Sequence, residues 1–252
     1  MEKSVLVPAE KLLEEPYITL FCYPRPNRTE AAKRLKALEK LGVTAVSFEG
    51  DKRVYEVRVL GKGYVGIVVA AYVNDEKIAL KIRRVDADRA SMEREAELLE
   101  KANSVGVGPQ LLGVSKDFVL MKFVDGMLLP EWLEKKRSKT TVKTTLNDVL
   151  GQCLRLDSIG LDHGELSNAP KHVIVDKDNK PVIVDFETAS LNRRPSNVTG
   201  LCQFLFIGSG VAKAVARKLG RRNKKAIIEA LRVYKNDRNS ENFGHVLATC
   251  GL

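Results

Sequence analysis

The stretch from residue 161 to residue 190 constrains this chain more than any other. It contains a polar loop, HGEL at 163–166, followed by two short apolar runs at 173–175 and 182–184. The DKDNKP sequence between the runs is typical of a turn, so the runs predict a β-hairpin that ends at Asp185. A loop carboxylate and a strand-end carboxylate suit phosphoryl transfer, in which one orients the attacking hydroxyl and the other holds a magnesium ion. An acidic surface hairpin is the alternative interpretation of this stretch taken alone.

The HGEL sequence and the VDFE sequence at 184–187 resemble the catalytic loop and the metal-binding motif of the RIO-like and Bud32-like atypical kinases of archaea. The resemblance implies that Glu165 is catalytic and that Asp185 is a metal ligand. It also implies that ATP and Mg²⁺ are the cofactors, and it makes His163 a structural residue of the loop rather than an acid or a base.

Two residues depart from the pattern of that family. Glu165 stands in place of the loop aspartate, with the same charge on a side chain one methylene longer, and Pro170 stands where an asparagine is expected. The second metal ligand is therefore open. Asn168 has suitable chemistry in a shifted position, whereas the imidazole of His172 is a poor ligand for magnesium.

A glycine-rich segment, GKGYVGIV at 61–68, precedes this stretch. In dinucleotide-binding folds the same glycine spacing opens a helix. Here the following residues, Ile67–Val73, are apolar and β-branched and predict a strand. The glycines are therefore expected at the tip of a hairpin, where backbone amides approach phosphates. The family resemblance assigns nucleotide binding to Gly61, Lys62, Gly63, Tyr64, Gly66 and Val68.

Lys81 lies on the next predicted strand, Ile78–Ile82, and Glu95 lies on the apolar stripe of a helix predicted over Asp88–Asn103. A carboxylate on an apolar stripe needs a partner because its unpaired burial is costly. Lys81 is the natural candidate, and the resemblance implies that it contacts the α- and β-phosphates of ATP. A surface lysine, and a glutamate at the edge of its stripe, are the alternatives.

The ordered set of motifs predicts an α+β chain with a two-lobed protein-kinase-like fold. Residues 1–50 are expected to form a small accessory subdomain, with a strand at Tyr17–Tyr23, and residues 51–121 the N-terminal lobe. Residues 122–252 are expected to form a reduced C-terminal lobe, because only 67 residues follow Asp185 and no Ala-Pro-Glu motif occurs there. Within this lobe, 138–145 reads as a loop and 198–219 as one helix. The segment from Met121 through Phe123 to Gly126 resembles the hinge between lobes, whose backbone hydrogen-bonds adenine.

Positive charge is concentrated near the end of the chain. The net charge is +10, and residues 212–238 carry ten Lys/Arg against Glu229 and Asp237, which gives that segment +8. The bias indicates a polyanionic partner, although a solvated helical face is the alternative. A second basic segment at 25–36 could add to the same surface through Arg25, Arg28, Lys33, Arg34 and Lys36, although solvation alone also explains these charges and is the favoured interpretation.

The sequence also predicts a cytoplasmic protein with no membrane partner. No run approaches the roughly 20 apolar residues of a membrane span, and the first 15 residues have no signal-peptide core. The four cysteines are far apart and form no CxxC pair, so reduced thiols are expected rather than a zinc site.

Three functions fit these features. The HGEL loop, the basic N-terminal extension and the short basic C-terminal lobe are similar to the archaeal tRNA kinase branch of the family. Members of that branch were formerly labelled predicted serine/threonine kinases, and the tRNA kinase phosphorylates the ribose 2′-hydroxyl of a variable-loop uridine. The favoured hypothesis is this reaction, with tRNA and not DNA as partner. The alternatives are a RIO-like serine/threonine protein kinase or ATPase of ribosome or tRNA-modification assemblies, and an RNA-binding pseudokinase, which Glu165 and Pro170 favour but Lys81, Glu95 and Asp185 disfavour.

Overall fold

The structure is a computed structural model that describes residues 5–252; residues 1–4, the start of the expected accessory subdomain, lie outside the described residues. The chain divides into two compact units. The first runs through Glu97 and resumes at Gln110–Phe123, and the second comprises Leu98–Pro109 and Val124–Leu252. The expected boundary at residue 50 stays a prediction.

The first unit contains an antiparallel sheet together with helices. Its strands are β1 (Val5–Pro8), β2 (Val43–Phe48), β3 (Lys52–Val54), β4 (Val57–Val59), β5 (Gly61–Lys62), β6 (Gly66–Val73), β7 (Glu76–Arg83), β8 (Leu111–Val114) and β9 (Phe118–Lys122). Within the described residues the main sheet has the order β1-β2-β6-β7-β9-β8, with β5 paired to β6 and with β3 and β4 forming a separate hairpin.

The central hairpin, β6–β7, follows from its sequence. Asn74 and Asp75 both have positive φ values, 48° and 64°, as the two central residues of a type I′ turn require. Side chains alternate between the faces of a strand, so Leu80 and Ile82 enter the hydrophobic core of this unit while Lys81 lies on the opposite face. The turn thus fixes the register that places Lys81.

The first 50 residues correct one prediction. Tyr17–Phe21 forms a short helix, α1, rather than a strand. The local preference of its β-branched and aromatic residues is overridden by tertiary packing, since Ile18, Leu20 and Phe21 are buried and the Phe21 ring stacks on Phe118 at 5.7 Å.

A second helix, α2 (Arg28–Lys40), is capped by Asn27, whose side chain accepts a hydrogen bond from Glu30 N at 3.0 Å. Arg34 of this helix was expected on a basic surface. That prediction is wrong, because the Arg34 side chain is buried. Its guanidinium donates to the carbonyl oxygens of Phe21 at 2.7 Å and Arg83 at 2.8 Å and pairs with Asp117 at 3.0 Å. Arg34 is therefore a structural residue that joins α1, α2 and β7.

The second unit contains a three-stranded antiparallel sheet and most of the helices. Its strands are β10 (Gly126–Leu128), β11 (Val173–Asp176) and β12 (Pro181–Ile183), so the predicted hairpin at 173–184 is present. The helices are α4 (Leu129–Glu134), α5 (Lys139–Ser158), α6 (Asn197–Cys202), α7 (Gly210–Leu219), α8 (Lys224–Asn236) and α9 (Ser240–Cys250), and α3 (Glu93–Asn103) is shared between the two units.

Two further predictions in this unit are wrong. The 138–145 stretch is the start of α5 and not a loop, because Ser138 caps the helix and Val142 and Thr145 turn towards the interior. The predicted helix at 198–219 is divided by a π-helical turn, Gln203–Ile207, and by a break at Gly208, after which Ser209 caps α7.

Within residues 5–252, no single helix has the length and apolar composition needed to cross a membrane. The segments Asn197–Ile207 and Gly210–Leu219 meet those two criteria only jointly, across a bend of 72°.

Candidate active site

The glycine-rich segment of the first unit forms the predicted hairpin. Gly61 pairs with Val68 and Lys62 with Ile67, and the amide of Gly63 donates to the carbonyl oxygen of Gly66 at 2.8 Å. Tyr64 stands at the tip with 88% of its surface exposed. The hairpin geometry is confirmed, whereas nucleotide binding by these residues stays a prediction.

Gly66 is required for a steric reason. A Cβ atom there would lie 2.9 Å from the carbonyl oxygen of Ile82 and 3.0 Å from Cγ of Lys81. A Cβ atom at Gly61 would meet nothing closer than Cβ of Val68 at 3.7 Å, an ordinary contact. Gly66 therefore leaves the space through which the Lys81 side chain passes.

We expect Gly66→Ala to weaken ATP binding about tenfold, because the added methyl group displaces Lys81. A hydrogen bond to a charged group contributes about 1.5–3 kcal/mol, and a loss of about 1.4 kcal/mol is tenfold in affinity. The measurement is ATP affinity by calorimetry. Gly61→Ala is the matched control and is expected to bind ATP as the wild type does. Equal losses for the two variants would contradict this role of Gly66.

Lys81 and Glu95 form the expected ion pair. Nζ of Lys81 lies 2.7 Å from Oε1 of Glu95, and the two side chains are only 4% and 5% exposed. Glu95 lies in the first turn of α3, where the helix dipole favours a carboxylate. The helix begins at Glu93 rather than at Asp88, since the Ser91 hydroxyl accepts from the amide of Glu93 at 3.1 Å. The role of Lys81 towards phosphates stays a prediction.

The predicted adenine-binding segment lies where the chain passes from the first unit to the second, between Phe123 and Val124. Met121 pairs with Ala79 on β7 and with Leu111 on β8. The centroid of the Phe123 ring lies 4.3 Å from Nζ of Lys77. Adenine contact by Met121 and Phe123 stays a prediction.

In the second unit, the HGEL loop is held by Asn197, at the start of α6. The side-chain oxygen of Asn197 accepts from the amide of His163 at 2.8 Å, and its amide group donates to the carbonyl oxygen of Leu161 and to Asp157. The backbone of Asp162 pairs with that of Ser190, which closes the loop from its other side.

The carboxylate of Asp157 is the centre of this support. It accepts from the Asn197 side chain at 2.8 Å and from the hydroxyl of Tyr234 on α8 at 2.9 Å. Burial raises the pKa of Asp157, and the hydrogen bonds oppose that shift. Sequence reasoning missed this residue, although Asp157 continues the apolar stripe of Val149 and Cys153, the signal that identified Glu95. One carboxylate thus connects the HGEL loop to the basic C-terminal helices.

Three ligand-bearing side chains meet in the second unit. Glu165, His172 and Asp185 each offer one atom, and these atoms all lie within 4.8 Å of one another. Nε2 of His172 is 3.1 Å from Oε2 of Glu165, and Nζ of Lys171 is 4.0 Å from the Asp185 carboxylate. Asp185 has φ of 71°, a left-handed conformation that is uncommon outside glycine and that often marks functional sites.

The two histidines of this region are buried. Nε2 of His163 lies 3.1 Å from the carbonyl oxygen of Val184, and the rings of His172 and Phe186 pack edge-on against it. Burial lowers the pKa of His163 to about 4, so the ring is neutral at pH 7, as a structural histidine would be. Burial also lowers the pKa of His172, against the opposing effects of Asp185 and Glu165.

This donor set fits a divalent cation. Two carboxylates and one imidazole supply oxygen and nitrogen ligands within the span that a single ion requires. Asp185 and His172, one of the two candidates for the second ligand, lie together in this cluster, and metal binding by either residue stays a prediction. Asn168, the other candidate, is exposed on the 3₁₀ turn Leu166–Asn168.

Comparison with known families finds a match to the RIO domain over residues 68–201, more than half of the chain. The matched interval contains Lys81, Glu95, Glu165 and Asp185 and begins at Val68, on the second strand of the glycine hairpin. The chain is also similar to an uncharacterised protein of Methanocaldococcus jannaschii, with 31% identity over 99 residues, which covers 39% of this chain and 83% of that protein.

Proposed function

Because the chain belongs to the RIO domain family of atypical kinases and ATPases, we propose that it is an ATP-dependent RNA kinase. Its acceptor is a ribose 2′-hydroxyl of tRNA, at a uridine of the variable loop. Family membership supplies the reaction class, a phosphotransferase. The acceptor is inferred from the arrangement of positive charge in the second unit.

In this proposal each candidate site residue has a role. Glu165 orients the acceptor hydroxyl and takes its proton. Asp185 would hold the magnesium ion, which would supply positive charge to the transferred phosphate. Lys81, positioned by Glu95, binds the α- and β-phosphates. The amides of the glycine hairpin cover the phosphates, and neutral His163 keeps the HGEL loop in shape.

The observation that carries the RNA assignment is how the ten basic residues at 212–238 divide. The side chains of six bond to other protein groups, for example Arg222 to the carbonyl oxygen of Cys250 at 2.8 Å and Arg217 to Glu134 at 2.6 Å. Four are exposed, and their side chains have no polar partner within residues 5–252. These are Lys213, Arg221, Lys225 and Lys235, which we call the open basic set.

Two residues of the open basic set, Lys213 and Arg221, line a concave pocket with a volume of about 660 Å³. Lys224 and the start of α7, at Ser209 and Gly210, line the same pocket. Folded RNA presents phosphates on a curved surface and is recognised largely by shape and backbone contacts. A concave, positively charged surface in the unit that also carries Glu165 and Asp185 suits such a partner.

We expect the triple variant Lys213→Ala/Arg221→Ala/Lys225→Ala to bind tRNA more weakly at low salt. The slope of log Kd against log salt concentration should fall by about three, one for each lost phosphate contact. Fluorescence anisotropy at several salt concentrations measures both quantities. Lys33→Ala/Lys36→Ala, which removes exposed charges from α2, is the comparison variant. An unchanged slope in the triple variant would exclude this surface, and a fall confined to the α2 variant would move the RNA contact there.

A RIO-like serine/threonine protein kinase or ATPase is the second candidate. The family match favours this candidate, because the match is to the RIO domain in general. The match does not determine the acceptor of the phosphate. In that case the basic surface binds RNA without modifying it.

The test is transfer of labelled γ-phosphate from ATP and Mg²⁺ to bulk archaeal tRNA and, separately, to a generic basic protein. Label in tRNA that Lys81→Ala abolishes supports the RNA kinase. Label confined to protein selects the second candidate. ATP binding without label in either acceptor leaves an ATPase or a pseudokinase, which phosphate release separates.

A further inference from the structure

The cluster of Glu165, His172 and Asp185 points beyond a magnesium site. We infer that it is a site for a first-row transition-metal cation, and that it selects Mn²⁺ over Mg²⁺. Mg²⁺ in proteins takes oxygen ligands almost entirely, whereas imidazole is a ligand of first-row transition metals. Among those metals, Mn²⁺ shares with Mg²⁺ the preference for carboxylates, which supply two of the three ligands here.

His172 is positioned as a ligand and is not a surface residue that happens to lie near two acids. Its side chain is 1% exposed, and its ring packs edge-on against His163 with 5.3 Å between centroids. Its backbone carbonyl accepts from the amide of Val184 at 3.0 Å, immediately before Asp185. The strand pairing that places Asp185 therefore places His172 with it, and Nε2 faces Glu165.

Glu165 supplies the second indication of a ligand. Its Oε2 atom is buried and has no hydrogen-bond partner in the described residues, although Nε2 of His172 is 3.1 Å away. A buried carboxylate oxygen without a hydrogen bond is costly, and a cation between the three side chains would remove that cost. A carboxylate has two oxygens, so Glu165 can give Oε2 to the cation and keep Oε1 for the acceptor hydroxyl.

The inference deepens the proposed function, because it rests on Asp185 as the metal ligand of that site. Cation binding can be measured without ATP or RNA, so a failure of the metal assignment is distinct from a failure of the kinase assignment. Selectivity resides in His172, since an asparagine there would offer an oxygen to Mg²⁺ while removing the nitrogen.

The experiment is titration of untagged, metal-free full-length protein with Mn²⁺, followed by the electron paramagnetic resonance signal of the free ion, with Mg²⁺ as competitor. We expect one Mn²⁺ per chain, which Mg²⁺ displaces only in large excess. His172→Asn should weaken Mn²⁺ binding about tenfold or more and bring the affinities for the two ions closer together. Asp185→Asn should weaken the binding of both ions.

His245→Asn is the matched control, because His245 is exposed on α9. It should bind Mn²⁺ as the wild type does. A second measurement needs no variant at all: pulsed resonance of the wild-type Mn²⁺ complex should show coupling to an imidazole nitrogen. Absence of that coupling, or the same preference for Mn²⁺ over Mg²⁺ in folded His172→Asn as in the wild type, would overturn the inference.

Discussion

Replacing Asp185 with asparagine should lower the rate of phosphate transfer by on the order of a thousandfold, the loss seen when a preorganised charge-stabilising group is removed. The substitution removes the negative charge that holds the cation and keeps the size of the side chain. Asparagine tolerates the left-handed conformation at φ of 71°, so the backbone should not be strained further. The decrease in the transfer rate should therefore be caused by the loss of the charge and not by misfolding of the loop.

The measurement is single-turnover transfer of labelled γ-phosphate at saturating ATP. Asp178→Asn is the matched control, since Asp178 is exposed in the turn of the same hairpin and carries no predicted role. It should transfer phosphate at the wild-type rate. A loss below tenfold in Asp185→Asn, with an unchanged circular dichroism spectrum, would remove Asp185 from the reaction.

Breaking the Lys81–Glu95 pair from one side should reduce both activity and stability. Lys81→Met takes the ammonium group away from a glutamate side chain that is 5% exposed. Loss of one partner of a buried ion pair costs about 3–5 kcal/mol of the free energy of unfolding. Phosphate transfer should be lost as well, because the variant lacks the cation that we propose for binding the phosphates.

The double variant Lys81→Met/Glu95→Leu separates the two effects. Replacement of a buried pair by apolar side chains of similar size is often neutral for stability. We therefore expect the double variant to recover most of the free energy of unfolding and to remain inactive. Urea unfolding followed by far-ultraviolet circular dichroism, beside the transfer assay, measures both. Recovered activity in the double variant would show that the pair has only a structural role.

Several parts of the fold and of the candidate site could be predicted from the sequence, because they depend on residues close together in the chain. The Asn74-Asp75 turn specifies the β6–β7 hairpin, and the β-branched residues after Gly66 exclude a helix there. The pairing of Lys81 with Glu95 followed from the same kind of argument: a carboxylate on an apolar stripe must have a partner, and the nearest buried strand offered one.

What only the tertiary structure decided involves partners far apart in sequence. Arg34 looks like a surface residue until Asp117, 83 positions later, lies against it. Tyr17–Phe21 has strand propensity, yet packing on the core makes it a helix. Asn197 accepts from the amide of His163 in the HGEL loop, 34 positions earlier in the chain. Tyr234 donates to Asp157, 77 positions earlier. The sequence determined which side chains could perform the chemistry. The three-dimensional packing decided which of them share a site, because burial and charge pairing depend on neighbours in space that local periodicity does not encode.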